Sequence, residues 1–374
     1  MNNEADNKVT SPVSNRLISL DALRGFDMFW IAGGGAVMHQ AAKLTQWEGL
    51  VWISNQMEHP EWHGFTFYDL IFPLFLFIAG VSMPFSFDKR LGRGDSKAKL
   101  RGHVIYRGLM LVFLGLIYNG LLQFDWENLR CASVLGRIGM AYLFAGLIFL
   151  NTGLRGRFFW FAGLLIAYWA ALKFIPVPGF GAGDLSPGHT LTDYIDRMLM
   201  PGVLYKGDRD PEGLLGIIPA ISTALSGVMT GQLLKNENRG GYFKVAMMII
   251  LGLVSLGLAY LWNFDFPINK NLWSSSFVLN CTGYSLLILS LFYLVIDVWK
   301  LRKWAFFFVV IGSNSILIYM APDFIDFGYT ANAIFGGALK YTGDYTAFLS
   351  ALSVLSVQWG MLYLCYKYKI FLKV

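Results

Sequence analysis

The chain has 374 residues, of which 55% are hydrophobic and 14% charged, with a mean hydropathy of +0.50. These values exclude an ordinary soluble multidomain protein and point to a polytopic membrane protein, in which each crossing of a core about 30 Å thick takes roughly 20 apolar residues. The net charge of +6 could mean an anionic partner, but the order of the basic residues makes it mostly a topology signal, and no nucleic-acid partner is expected.

Residues 1–15 are polar and lack the n-region, h-region and cleavage site of a signal peptide. They are expected to form a disordered cytoplasmic tail, with 16–374 as a single transmembrane domain. Apolar runs follow at about 17–38, 66–87, 104–123, 131–150, 158–175, 213–234, 243–262, 273–296, 304–321 and 347–366. This periodicity predicts an all-α polytopic membrane helix bundle of about ten transmembrane helices.

The connectors orient it. One set carries Lys8 and Arg16; Lys89, Arg90, Arg93, Lys97, Lys99 and Arg101; Arg155 and Arg157; Lys235, Arg239 and Lys244; Lys300, Arg302 and Lys303; then Lys367, Lys369 and Lys373. The alternate connectors are poorer in Lys and Arg, so both termini are expected in the cytoplasm, which requires an even number of spans. Residues 39–65, 124–130, 176–212, 263–272 and 322–346 then lie outside. They hold Trp47, Trp52, Trp62 and Trp126, and 44–57 is expected as a short interfacial helix. No internal repeat is visible, which weighs against the commonest transporter designs. Cys131, Cys281 and Cys365 lack metal-ligand spacing and read as buried thiols, and no metal is expected.

Ionisable side chains inside spans are costly in lipid and mark cavities or functional routes. Here they are Asp21, Arg24 and Asp27 in the first run, Asp69 at the mouth of the second, Arg107 in the third and Arg137 in the fourth. Arg24 and Arg107 lie within roughly 10 to 12 Å of the cytoplasmic end of their helices. They admit two readings, snorkelling to the interface or clamping phosphate oxygens with paired guanidinium donors. Asp21 and Asp27 flank Arg24 at three residues, close enough for a local ion pair.

Thr66 and Asp69 form a T-x-x-D capping pattern that is compatible with a second, chemical role for Asp69. His59 and His63 bracket Trp62 just outside the second span. Histidine suits general-base work because its unperturbed pKa is about 6.5; His39, His103 and His189 lie near helix ends or in a loop. Asp210 and Glu212, with Asp208, make an acidic rim that either complements a helix start or attracts an amino-bearing acceptor. Lys270 and Asn271 in INKNLWS add polar groups at an outer helix end, and Asn314 within an apolar helix needs a partner.

Six stretches, RLISLDALRGFDMFWI, HPEWHGFTFYDLIFPLFLFIAG, LRCASVLGRIGMAYLF, DPEGLLGIIPAISTALSGVMTGQLL, INKNLWSSSFVL and GSNSILIYM, occur in this order. Together they resemble the membrane core of the heparan-alpha-glucosaminide N-acetyltransferase family, from Arg16 over nearly the whole chain. The form is similar to a bacterial-type member, without the large luminal domain and extra first span of the lysosomal enzyme.

The resemblance implies transfer of acetyl from cytoplasmic acetyl-CoA to the amino group of a glucosamine-type sugar across the membrane. It implies a homodimer and, for a bacterial member, the inner membrane. It maps the catalytic histidine onto His59, with Trp62, Gly64, Thr66 and Asp69 in register, and ranks His63 second. Ile31 and His63 stand where the lysosomal enzyme has asparagines.

On this reading His59 is the base or a transient acetyl carrier, oriented by Asp69. Arg24, Arg107, Arg137 and Asn314 face the CoA donor, and Trp62, His63, Asp210, Glu212, Lys270 and Asn271 face the acceptor. An O-acetyltransferase of an envelope glycan and a sugar or glycolipid transporter are the alternatives. CoA binding discriminates against the transporter.

Overall fold

The computed structural model describes residues 17–372, so the tail expected over 1–15 lies outside the described residues. Helices are the only extended regular elements of the described chain. Its only β-type pairings are two isolated bridges, Arg130 with Gly202 and Val177 with Gly181. In lipid the backbone must satisfy itself, and a helix does this within one segment.

The helices are α1 (Ile18–Phe29), α2 (Gly35–Thr45), α3 (Glu48–Asn55), α4 (Phe67–Leu91), α5 (Lys97–Tyr118), α6 (Val134–Asn151), α7 (Leu154–Phe174), α8 (Leu191–Leu199), α9 (Ile217–Lys235), α10 (Gly241–Asn263), α11 (Ser275–Tyr293), α12 (Phe306–Gly312), α13 (Ser315–Phe324), α14 (Phe327–Leu339) and α15 (Thr346–Lys367). Among the described residues eight helices are long and apolar enough to cross a membrane, or nine if the bent pair α12 and α13 counts as one span.

Each expected apolar run is helical, but two are interrupted. The first becomes α1, a π-turn over Trp30–Gly34 and α2, with Gly33 at φ +146°, a conformation open to glycine and strained for other residues. The ninth bends by 67° between α12 and α13, around Asn314. The expected interfacial helix is α3, shorter than the 44–57 segment. Two stretches read as external loop, around α8 and α14, are also helical.

The α4 and α9 helices are buried along most of their length and form the centre, whereas α5, α7, α10 and α15 leave most of their surface to the surroundings. Apolar side chains gain little by leaving lipid for one another, so central helices meet through small residues that let backbones approach. A methyl group on Gly80 would strike the Ala224 carbonyl, and one on Gly227 that of Phe77. Gly25 and Gly312 bring α1 and α12 together in the same way. This framework starts α4, α6, α9 and α11 at one end of the bundle. At the opposite end Asp88 and Lys235, on the last turns of α4 and α9, form an ion pair.

Candidate active site

The site is built where α4 begins. Thr66 is the N-cap of α4, and its backbone N–H donates to Asp69 Oδ2 at 3.0 Å, closing the expected capping box. The Thr66 hydroxyl donates to the Glu58 carbonyl at 2.7 Å, which folds the preceding segment back over the helix start. Asp69 is thereby fully buried with one oxygen committed to the cap.

Its other oxygen, Oδ1, lies 2.6 Å from His59 Nδ1. The carboxylate can only accept here, so Nδ1 carries the proton and the Nε2 lone pair is turned outward. That face is not empty: Lys270 Nζ lies 2.8 Å from His59 Nε2 and 3.9 Å from Asp69 Oδ1. The His59 ring packs against Tyr68 at 5.1 Å, and nearly half of its side chain is exposed to the mouth.

Lys270 comes from the connection between α10 and α11, which is shaped by Asn269. The Asn269 carboxamide oxygen accepts from Leu272 N at 3.0 Å, and its backbone N–H donates to Ser274 Oγ at 3.1 Å. Its Nδ2 reaches His63 Nδ1 at 3.2 Å, while Gly64 N donates to the Ile268 carbonyl at 3.0 Å. The two connections are thus stitched together at several points. Sequence reasoning passed over Asn269, although its place immediately before Lys270 in INKNL was the available signal. Asn271 follows in the same turn, half-buried. Burial pulls the Lys270 pKa below the usual lysine range, with the Asp69 and Glu212 charges opposing the shift. Burial also lowers His63.

Trp62 donates through Nε1 to the Leu185 carbonyl at 2.8 Å and carries the Arg209 guanidinium over its ring at 5.6 Å. Of the three acids in the rim, Asp208 is half exposed and pairs with its neighbour Arg209, while Asp210 and Glu212 are paired across the chain. Arg130 holds Asp210 in a two-pronged ion pair at 2.7 Å and also holds Glu212. Burial raises Asp210, and the hydrogen bond and charge of Arg130 more than reverse this, leaving its pKa below the usual carboxylate range. Arg130 is the second residue that sequence reasoning missed, since its partners lie 80 and 82 positions away.

Arg137, in the first turn of α6, is almost completely buried, with its guanidinium 5.0 Å over the Trp273 ring and Nη2 donating to the Gly213 carbonyl at 3.1 Å. Arg24, Arg107 and Asn314 stand apart from the histidine. Arg24 donates to Ser82 Oγ at 3.1 Å and pairs with Asp21 at 3.6 Å, as its spacing implied. Arg107 lies over the Tyr142 ring at 4.6 Å and donates to its hydroxyl at 3.3 Å. Both functions of the Asn314 amide are taken by the chain's own end: Nδ2 donates to the Ile370 carbonyl at 2.8 Å, and Oδ1 accepts from Leu372 N at 2.9 Å. Asp27 makes no hydrogen bond among the described residues.

Along α4 the order is Asp69, then Phe72 and Phe75, then Ser82 with Arg24 upon it. Between the two polar stations lies an apolar cavity of about 30 Å³, lined by Met28, Ile31, Phe72, Phe75, Ile138 and Tyr319 among others. The arrangement is a histidine whose tautomer is fixed from behind by Asp69, a lysine at its other ring nitrogen, and a small apolar hollow beside Phe72.

No family model matches the chain. The heparan-alpha-glucosaminide N-acetyltransferase of Mus musculus is 30% identical over 420 aligned residues, covering 96% of this chain, and that of Homo sapiens is 30% identical over 423, covering 97%. In each case the match covers 61% of the relative, so the chain spans less than two thirds of the length of these proteins.

Proposed function

Because the chain belongs to the family of the heparan-alpha-glucosaminide N-acetyltransferases, we propose that it moves an acetyl group from acetyl-CoA, supplied from the cytoplasm, to the amino group of a glucosamine-type sugar on the far side of the membrane. The observation that carries this reading is the His59, Asp69 and Lys270 cluster at the mouth of α4. Acetylating an ammonium needs its proton removed and the nitrogen held against a thioester carbonyl, and an oriented imidazole with an outward lone pair does the first of these.

In this mechanism Asp69 holds the Nδ1–H tautomer and His59 Nε2 takes a proton from the acceptor ammonium. Lys270 gives up its contact with Nε2 as the acceptor arrives. The freed nitrogen then forms the N–C bond to the acetyl carbon, the C–S bond breaks with its electron pair going to sulfur, the amide nitrogen gives its second proton to that sulfur, and His59 releases the first proton to solvent. A histidine that first takes the acetyl itself is the other form of the same chemistry. The donor's phosphates would meet Arg24 and Arg107, which now donate to Ser82 and Tyr142 in the half of the bundle away from His59, and its arm would have to widen the small apolar cavity between them and His59. Trp62 and His63 lie where an acceptor sugar would enter.

On this reading the bent pair and the interrupted first run are both crossings, added to the eight long apolar helices to make ten spans, and the positive-inside pattern puts both termini in the cytoplasm of a bacterial cell with His59 toward the periplasm. The homodimer is proposed from the family resemblance alone.

The test is transfer of labelled acetyl from acetyl-CoA to glucosamine by the purified protein in nanodiscs, with His59→Ala alongside. Wild type should acetylate the amine, and His59→Ala should bind CoA normally yet turn over about 10²- to 10⁴-fold more slowly. Failure to bind CoA sinks the enzyme reading and favours transport. Binding with transfer only to a hydroxyl acceptor would replace N-acetylation by O-acetylation.

A further inference from the structure

Arg137 has two hydrogen-bond donors with nowhere to go. It is 2% exposed, and while Nη2 donates to the Gly213 carbonyl, Nε and Nη1 have no acceptor among the described residues. Buried donors left open are costly and are normally paired. The acids around it do not take them: Asp210 and Glu212 are held by Arg130, and Asp196 accepts from Leu214 N through Oδ1, while its Oδ2, also buried, makes no hydrogen bond to Arg137 or to any other described residue.

Its position is tied to the reaction end. Trp273, under the guanidinium, closes a hydrogen-bonded turn with Lys270 at 3.0 Å. The same indole packs at 4.6 Å on Phe72, one turn beyond Asp69. Phe72 and Ile138, the residue after Arg137, both line the apolar cavity. Trp273 therefore links the guanidinium to the turn that carries Lys270 and, through Phe72, to the wall of the hollow. The arginines proposed for the donor's phosphates lie in the other half of the bundle.

We propose that Arg137 binds the acyl carbonyl oxygen of the donor through its Nε–H and Nη1–H groups and stabilises the negative charge that forms there. This rests on the acetyl-transfer reading and assigns Arg137 to the reacting carbonyl rather than to the donor's phosphates. As the acceptor nitrogen donates its pair to the carbonyl carbon, the C=O π pair moves onto oxygen and is met by the two open donors. When that pair returns, the C–S bond breaks and sulfur leaves with its electrons. Donors already aimed at a developing oxyanion in a water-poor site need no reorganisation, which is why they weigh heavily in acyl transfer.

The experiment compares wild type with Arg137→Gln and Arg137→Lys in nanodiscs, measuring kcat at saturating acetyl-CoA, the Kd of CoA itself, and the infrared carbonyl stretch of bound acetyl-CoA labelled with ¹³C at the carbonyl. Arg137→Gln should lower kcat by about 10²- to 10³-fold, with the Kd of CoA, which lacks the acyl group, held within about threefold. Arg137→Lys, which keeps the charge over Trp273, should lie between. The labelled stretch should fall below its solution frequency in wild type and return toward it in both variants. A kcat within about threefold of wild type in Arg137→Gln, an unshifted stretch in wild type, or a kcat loss matched by an equal loss of CoA affinity would each overturn the proposal. Wild type that binds no CoA would sink the acetyl-transfer reading and this inference with it. Active wild type beside an equally active Arg137→Gln would sink this inference alone.

Discussion

Replacing Asp69 by asparagine keeps the shape of a fully buried side chain but removes its charge. Asp69 has two jobs, accepting from Thr66 N at 3.0 Å through Oδ2 and facing His59 Nδ1 at 2.6 Å through Oδ1. Asparagine has one acceptor oxygen and one NH₂ group, so it can do only one of them. If the oxygen keeps the cap, the NH₂ faces Nδ1 and forces the proton to Nε2, which removes the lone pair the reaction uses. If the oxygen serves His59, the cap is lost at about 1 kcal/mol.

Loss of tautomer control over a catalytic imidazole costs on the order of 10⁴-fold where it has been measured in a serine protease. The partly exposed His59 ring retains some freedom to turn. We therefore expect kcat for Asp69→Asn to fall by about 10²- to 10⁴-fold, about 3 to 5 kcal/mol of transition-state stabilisation. The assay is single-turnover acetyl transfer in nanodiscs, with thermal unfolding followed in parallel. A kcat within about threefold of wild type would refute the reasoning. So would a loss explained entirely by unfolding.

Three further outcomes follow from the same structure. Arg130→Ala strands the carboxylates of Asp210 and Glu212, both largely buried, and should destabilise the protein by about 3 to 5 kcal/mol; an unchanged midpoint in thermal unfolding would contradict this. Asp196, outside the spans in α8, has its pKa pushed up to about 6 from 3.8, chiefly by burial. A raised acid stabilises fully below its unfolded value and loses that contribution as pH rises through the folded one, so wild type should lose about 2 kcal/mol from this group between pH 4 and 7. Asp196→Asn can still accept from Leu214 N and should flatten that part of the stability profile, measured by unfolding midpoints across the range. Gly227→Val would press a side chain into the Phe77 carbonyl and the backbone at Val81. Separating α4 from α9 should cost about 1 to 3 kcal/mol or more, read as a lower unfolding midpoint.

Much of the helical layout was legible because length and polarity decide it locally. Ten apolar runs marked the helical segments, and T-x-x-D marked the start of α4. The breaks were not legible. The stretch 17–38 read as one apolar run, yet Gly33 turns to positive φ against Leu355 and Gln358 of a helix more than 300 residues later. Asn314 read as a polar residue seeking a neighbouring helix, and its partners are backbone groups at 370 and 372.

The site divides along the same line. His59 and Asp69 are ten residues apart and could be paired by motif and capping pattern. Lys270 reaches His59 across 211 positions, and no spacing rule links two connections so far apart. The pairing of Asp210 and Glu212 was hidden for the same reason. Composition shows which charges are present, but the Arg130 that neutralises them arrives through the packing of α5, α6 and α9.

The central claim is that one chain carries an acetyl group across a bilayer to an amine, with His59 as the working residue. Proteoliposomes with the cytoplasmic face turned inward, loaded with labelled acetyl-CoA and supplied with glucosamine outside, test it directly. The account predicts N-acetylglucosamine accumulating outside with wild type and not with His59→Ala, while both variants bind CoA. Label that stays inside with wild type, or equal transfer by His59→Ala, would contradict it.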